Sequence, residues 1–551
     1  MPEAPPSMSA LSEEFVELSF RHDPVAATGV GIHDYDRLLP DDTPEGIQSR
    51  VSWLRDFERR LRTGVDRDAL TPALRVDLAY LESRVWALRT EIEELRVHAL
   101  NPVRYPERAL RGVFMLVARP FAPLEERKES ILDRLVAIPD YLEGAARNLE
   151  PVLPEVVVRT ALDVTQSGPS FVDEVTRTLR RSFPGEAERI EFASQRARVG
   201  FLRYQEHLEK DLLPRAGGTL GIGAEAMNAK LRHEHLLDTD IEALDRLGTE
   251  QIASACRMLE EEARRIDPAR TWREQIADAR ANHPERLGLR DAYVQETDRA
   301  LRFVRDRHIA PVASTTLEII DTPVFERAFT PYAAYLPAAP CDADQTGYFF
   351  ITPVDASRPK EVQEAQLRQH SRAGIPLVVL HESYPGRHLQ TGHANRAGSR
   401  LRQLAYNDLF AQGWALYCAE MMYEQGYFVD PATRLFQLNY QLWRACRVVI
   451  DVRLQSGRMS FPEAVAFLVD EAMLDPANAE LEVKRYLLSP TQPLSYLVGM
   501  LEICKLRDEA KRRLGERFDL HEFHATLLSV GALPMALVRE ELLERMGTAK
   551  A

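Results

Sequence analysis

The sequence predicts a mainly α-helical protein with one small β-sheet, and three observations lead there. Apolar residues recur three and four positions apart, with charges between them, from near Leu11 to about residue 310, and the pattern resumes after Pro359. Only the stretch of about 311–355 changes character, to short β-rich runs bounded by Pro, Asp and Gly. No Gly/Ser-rich linker separates modules, so the 551 residues are expected to form one large domain. A chain of this length can bury a substantial core.

In chain order, residues 1–10 are expected to be a loose tail, and Met1-Pro2-Glu3-Ala4-Pro5-Pro6 lacks the basic start and apolar run of a secretion signal. Arg50–Arg62 and Ala73–Val97 carry the helical period. Gly29–Asp36 is a turn between helices; His33 beside Asp34 and Asp36 invites a ligand reading, but a surface turn explains it. Pro151–Pro154 and Phe183-Pro184-Gly185 punctuate helices. Arg232-His233-Glu234-His235 sets its two His on different helix faces and is expected to be a solvated helix end.

Thr316–Ile320, Ala333–Leu336 and Gly347–Ile351 are the expected strands. Such a sheet either packs under the next helix or offers its edge to an extended peptide. Pro376 suits the first turn of that helix. Helices are then expected at Arg400–Tyr427, Ala432–Gly457, Phe461–Val469 and Gln492–Arg513, with Gly426 and Gly457 as C-terminal caps and a charged helix after Leu533-Pro534.

Composition narrows the function classes. The net charge of −14 weighs against a nucleic-acid partner, which needs a clustered basic face. No run of ~18 apolar residues predicts a membrane span. Five scattered Cys, odd in number and without a CxxC pair, suit buried thiols in a reducing cytoplasm. The oligomeric state is not legible.

The chemistry concentrates in Val378-Val379-Leu380-His381-Glu382-Ser383-Tyr384-Pro385-Gly386-Arg387-His388-Leu389-Gln390. A His-Glu pair on a helix with a later His is how zinc hydrolases hold a metal and activate its water. Here the second His is seven positions on, about 10 Å along a straight helix, too far for one ion. Pro385-Gly386 offers a break that would bring His388 back.

This stretch resembles the family named domain of unknown function 885, in the zincin-like peptidase clan, whose signature runs His-Glu-x-x-Pro-Gly-His-His-x-Gln. Further matches are Gln412-Gly413-Trp414-Ala415-Leu416-Tyr417-Cys418-Ala419, Asp451-Val452-Arg453-Leu454-Gln455 and Pro490-Thr491-Gln492-Pro493-Leu494-Ser495-Tyr496, with echoes back to Pro24-Val25-Ala26-Ala27-Thr28. The resemblance covers nearly the whole chain. It implies a zincin-like helical body with a deep internal cleft: a helical wall over about 11–310, the sheet over about 311–355, and motif and site helices over about 360–545.

The resemblance also implies a zinc-dependent peptidase whose third ligand is a Glu in the Gly-Trp-Ala segment. This chain has Gln412 there, Ala419 at the second Glu, Arg387 at the first of the paired His and Gln455 where a His is expected. A neutral amide is a poor zinc ligand and Arg is none. Polar positions changed while Gly413, Trp414, Leu416 and Tyr417 stayed, so the metal site is altered or absent and zinc is an open question. His381, His388 and Asp408 would be its ligands if one binds. Asp408 lies about 40° around a helix from Gln412, and a helix N-terminal turn suits it better.

Without a metal, Glu382 and His388 are the expected general base and acid, with Tyr496 or Tyr417 donating to an anion. Arg387, Tyr417, Gln412 and Arg485 are the expected substrate contacts. Arg387 is a fixed planar cation suited to a carboxylate or phosphate, and a structural acid would suit it equally. Three functions stay open: a repurposed acid–base enzyme acting on a small anionic, amino-acid-like or peptide-like substrate, a zinc-dependent peptidase or amide hydrolase, and a non-catalytic binding protein on a peptidase scaffold.

Overall fold

A computed structural model of the chain describes residues 7–323, 327, 330 and 332–547. The opening Met1–Pro6, where no secretion signal is expected, lies outside the described residues. The protein is mainly helical, about 70 % of its residues, with a three-stranded sheet. Among the described residues no helix is long and apolar enough to cross a membrane. The chain forms two compact units, residues 1–220 with 339–344, and residues 221–338 with 345–551.

The first unit is built of long amphipathic helices. Pro44–Thr63 and Pro72–Glu93 begin alike, with Pro in the first turn and a Thr side chain (Thr43, Thr71) capping a free backbone N–H. Leu124–Asn148 turns Ile131, Leu132, Leu135, Ile138 and Leu142 inward at helical spacing. From the same helix Arg134 enters the core. Its guanidinium donates to the carbonyls of Leu38 (3.0 Å), Gly112 (2.6 Å) and Pro24 (3.2 Å) and to the Thr28 hydroxyl (2.7 Å).

The turn at His33 is a clasp. Nδ1 meets Asp36 at 2.8 Å, Nε2 meets Asp342 at 2.9 Å, and the ring stacks on Phe121 at 3.7 Å between centroids. Burial works against the imidazolium, but the two carboxylates outweigh it and raise its pKa to about 9. His33 thus spends both nitrogens within its own unit, as no free ligand does.

The second unit holds β1 (Thr316–Asp321), β2 (Ala333–Leu336) and β3 (Thr346–Ile351). These lie within a residue of the expected strands. β3 is central, parallel to β1 and antiparallel to β2. Phe349, Phe350 and Ile351 bury its end of the sheet.

The helices that build the site are α1 (Ile375–Glu382), α2 (Arg387–Ala394), α3 (Asp408–Glu424), α4 (Pro431–Gln455), α5 (Pro476–Leu488), α6 (Gln492–Leu514) and α7 (Leu520–Ser529). The helix expected over Arg400–Tyr427 is interrupted. A short turn, Arg400–Gln403, stops, and α3 restarts at Asn407, whose side chain accepts from Leu409 N–H at 3.0 Å. Asn competes for backbone groups and favours such a cap over a helix interior.

α3 and α6 cross at Gly413 and Gly499. A Cβ on Gly413 would lie 2.4 Å from the Gly499 carbonyl carbon, and one on Gly499 would lie 1.9 Å from the Leu409 oxygen. The N-terminus of α6 is fixed from α4. The buried Asp451 carboxylate accepts from Thr491 N–H (3.4 Å) and Leu494 N–H (3.3 Å), which sets the direction of the helix carrying Tyr496. Gln455 is wholly structural. Its oxygen accepts from Ile222 N–H, and its amide donates to the carbonyls of Tyr486 and Leu487.

His235 corrects the solvated-end expectation. It is buried and bonded to the Thr491 hydroxyl at 2.8 Å, with Asn407 at 3.4 Å.

Candidate active site

The motif breaks where Pro385 and Gly386 lie. α1 ends at Glu382 and α2 begins at Arg387. A Cβ on Gly386 would come within 2.1 Å of the His381 carbonyl oxygen, so only Gly allows the chain to fold back this tightly. Trp414, fully buried in α3, locks the break by donating its indole N–H to the Pro385 carbonyl at 2.9 Å.

The break sends its two His to different tasks. His388 is buried, with Nδ1 3.0 Å from the Tyr335 hydroxyl and Nε2 3.2 Å from the Thr315 hydroxyl. Burial pushes its pKa down to about 4, so it is a neutral imidazole with both nitrogens engaged.

His381 instead lines a cavity of about 530 Å³. Glu382 lies beside it, Leu416 and Ala419 come from α3, Gln437, Tyr440, Trp443, Arg444 and Arg447 from α4, Glu482 and Arg485 from α5, and Tyr496 from α6. Its size falls within the range of small-molecule sites.

The electrostatics of this cavity are unusual. Burial holds His381 well below its ordinary pKa, helped by Arg444, Arg387 and Arg447. Its ring stacks on Tyr496, 6.2 Å between centroids and 10° between planes. Burial raises the Glu382 carboxyl above the usual carboxylate range, against the pull of Arg387 at 3.5 Å. Its Oε2 is buried without a hydrogen-bond partner.

Burial pushes the Tyr496 phenol up, but Arg447, Arg485, the Gln492 amide and Arg387 together outweigh it and leave the phenol more acidic than usual. Burial brings Arg444 down to about 10, with Arg447 adding to the effect. Arg485 is the partnered cation, 2.7 Å from Glu482.

Of the residues singled out from sequence, His381, Glu382, Arg485 and Tyr496 meet at the cavity, and Arg387 reaches Glu382 from behind the lining. The others are placed elsewhere. Tyr417 is sealed in the core, its hydroxyl between His524 (2.9 Å) and Arg507 (3.3 Å). Gln412 donates to the Tyr406 hydroxyl at 3.3 Å. Asp408 opens α3 and accepts from the same hydroxyl at 3.2 Å, and burial raises its carboxyl.

Sequence reasoning passed over Arg444, Arg447, Trp443 and Tyr440. The signal was present: two Arg one turn apart in the run Leu442-Trp443-Arg444-Ala445-Cys446-Arg447-Val448-Val449-Ile450, where an apolar helix has no use for charge.

The residues present do not fit a zinc ion. Both nitrogens of His388 are taken by hydroxyls, Asp408 is bonded to Tyr406, and position 412 offers an amide. Among the described residues no group of three or more His, Cys, Asp and Glu gathers as a metal-ligand set. No step of the chemistry below passes through a metal.

Residues 24–542 match the family described as "Bacterial protein of unknown function (DUF885)", and the chain belongs to that family. No curated protein matches it. The fold is similar to that of a solved protein described as "a putative lipoprotein of unknown function from Shewanella oneidensis", 22 % identical, with a TM-score of 0.81 over 98 % of this chain and 100 % of that one. It is also similar to "the putative lipoprotein from Colwellia psychrerythraea", 18 % identical, with a TM-score of 0.83 over 98 % of each. At these identities the likeness establishes the fold.

Proposed function

We propose that this protein is an enzyme that performs acid–base chemistry on a small anionic, amino-acid-like or peptide-like substrate, on a metallopeptidase-like scaffold whose metal site has been lost. The observation that carries the reading is Glu382, a half-buried carboxyl in a cavity with three Arg, raised above the usual carboxylate range, whose Oε2 makes no hydrogen bond and meets Arg387 only as an ion pair at 3.5 Å. Buried acids of this kind are costly to keep and are the usual tools of proton transfer at neutral pH. Glu382 is the general base, and Arg387 steadies it as it ionises. Tyr496, made more acidic by the surrounding Arg, donates to the oxygen on which charge develops. Neutral His381 holds the Tyr496 ring in place. His388 has no free nitrogen for this work and anchors α2 to the sheet through Tyr335.

The His381-Glu382 pair at a helix end, the later His388 and the Gln412–Tyr417 segment support the metallopeptidase-like ancestry. Five free thiols support a cytoplasmic location, although only Cys418 and Cys446 are buried as expected and Cys341 is exposed; the lipoprotein description belongs to the two neighbours.

The test is consumption of a panel of N-acyl amino acids and dipeptides, followed by mass spectrometry. Glu382→Gln is expected to lower turnover by about 10²–10⁴-fold. In the wild type the acidic limb of kcat/KM lies above the ordinary carboxylate range, since the base must be ionised and its pKa is raised. Turnover of the same substrate undiminished by Glu382→Gln would sink the reading.

A further inference from the structure

Arg447 is 2 % exposed, yet its Nε and Nη2 have no hydrogen-bond partner. Those two atoms form one edge of the guanidinium, where two parallel N–H bonds point the same way. No carboxylate lies within ion-pair distance of Arg447 among the described residues. The group is nevertheless held rigidly, with its central carbon 4.1 Å from the Tyr496 ring centre, 5.0 Å from that of Tyr486 and 5.8 Å from that of Trp443. One turn earlier Arg444 packs on Trp443 at 4.3 Å, and its Nε is also unpartnered. Arg447 is buried and Arg444 half-buried, one turn apart, so their charges repel, and Glu482 and Asp451 act on Arg447 only from beyond ion-pair distance; a bound anion lowers the repulsion and supplies the missing solvation.

We propose that Arg447, seconded by Arg444, is the subsite that takes the free carboxylate of the substrate. A planar carboxylate suits the guanidinium fork of Arg447, which lines the cavity beside Arg444. A doubly charged phosphate would also be drawn to the edge, but Glu382 and Glu482 line the same cavity and oppose the second charge. The Tyr496 ring lies 4.1 Å from the Arg447 guanidinium carbon and runs nearly parallel to the His381 ring, 6.2 Å between centroids. A substrate anchored at Arg447 therefore shares one cavity with Tyr496, His381 and the Glu382 carboxyl. Leu377, Leu416 and Ala419 supply an apolar wall for its side chain. The substrate class is an N-substituted amino acid or short peptide with a free carboxylate, reacting close to that end.

This inference rests on the cavity being the reaction site. It is tested separately by calorimetric binding to the Glu382→Gln protein, in which the proposed turnover is disabled. The probes are N-acetylglycine, its neutral analogue N-acetylglycinamide, and inorganic phosphate. The acid is expected to bind saturably, with the amide about tenfold or more weaker, as for the loss of a charge-assisted hydrogen bond. Phosphate is expected to bind less tightly than the acid. Adding Arg447→Met removes the preference for acid over amide, and Arg447→Lys, a point charge without the fork, restores only part of it.

Absence of binding by the acid, equal binding of acid and amide, or tighter binding of phosphate overturns the assignment. So does a preference that survives Arg447→Met. The comparison of acid and amide needs no change at position 447, so it decides the matter even if that variant fails to fold. Acid-selective binding in a protein whose wild type turns over no carboxylate substrate would leave the subsite standing and sink the acid–base reading alone.

Discussion

Arg134 in the first unit and Arg447 in the second are equally enclosed, at 0 % and 2 % exposure, and among the described residues neither makes an ion pair with a carboxylate. They differ in what their nitrogens meet. All three nitrogens of Arg134 donate to backbone carbonyls or the Thr28 hydroxyl, so the side chain ties three stretches of chain to one helix. Arg447 is wedged among aromatic rings with a whole donor edge vacant. Burial alone therefore does not separate structure from function; satisfaction does. A satisfied buried cation stabilises the fold, whereas an unpartnered one costs the fold something and, where it also lines a cavity as Arg447 does, marks a place for a ligand.

The contrast is tested most severely at Arg134. Arg134→Met leaves the carbonyls of Leu38, Gly112 and Pro24 without their donor inside the core. We expect a loss of about 3–5 kcal/mol in urea unfolding, with loss of soluble protein at higher temperature. A variant as stable as wild type would break the distinction at its strong end.

The same rule divides the histidines. His388 and His524 are satisfied, since His524 joins the Tyr417 hydroxyl at 2.9 Å and the Ile309 carbonyl at 2.7 Å. Burial depresses both to about 4. Below the unfolded value of 6.5 the unfolded chain takes up protons that the folded imidazoles refuse. Stability is thus complete above pH 6.5 and falls as the pH drops towards 4, by about 2 kcal/mol for each group at pH 5. Urea midpoints at pH 7.5 and pH 5 measure the slope, and His524→Gln should flatten it even as it lowers the midpoint at neutral pH. A slope unchanged in that variant would show that His524 titrates in the fold as it does in the unfolded chain.

The fold was largely legible because its signals are local. Helical period, Pro in first turns and the three β-rich runs each act within a few residues of themselves, and the strands at 316, 333 and 347 came within one residue. The division of the chain near residue 220 is decided by long-range packing, to which no local composition corresponds.

The site was half legible. His381, Glu382 and Tyr496 carry a spacing that can be seen, whereas Tyr417 and Gln412 sit on a helix whose orientation is set by the Gly413–Gly499 crossing and by Trp414 gripping the motif break. Which face of α3 meets the cavity follows from that crossing, and it is Ala415, Leu416 and Ala419. Arg444 and Arg447 were visible as misplaced charge, but only three-dimensional packing tells a vacant Arg from one as fully used as Arg134.

The smallest expected effect is therefore the most informative. Arg447→Met removes a buried charge that makes no ion pair among the described residues and offers a side chain of comparable length to the same aromatic cage. The lost contacts with Tyr496 and Tyr486 cost about 1–2 kcal/mol, and relief of the uncompensated charge and of its repulsion with Arg444 returns a similar amount. The unfolding midpoint of the ligand-free protein should stay within about 1 kcal/mol of wild type or rise, while affinity for carboxylates falls. A loss of stability on the scale of Arg134→Met would mean that Arg447 braces the fold, and the vacancy at its edge would then have no functional meaning. Unchanged stability with lost binding is the signature of a residue kept in the core for something the core does not contain.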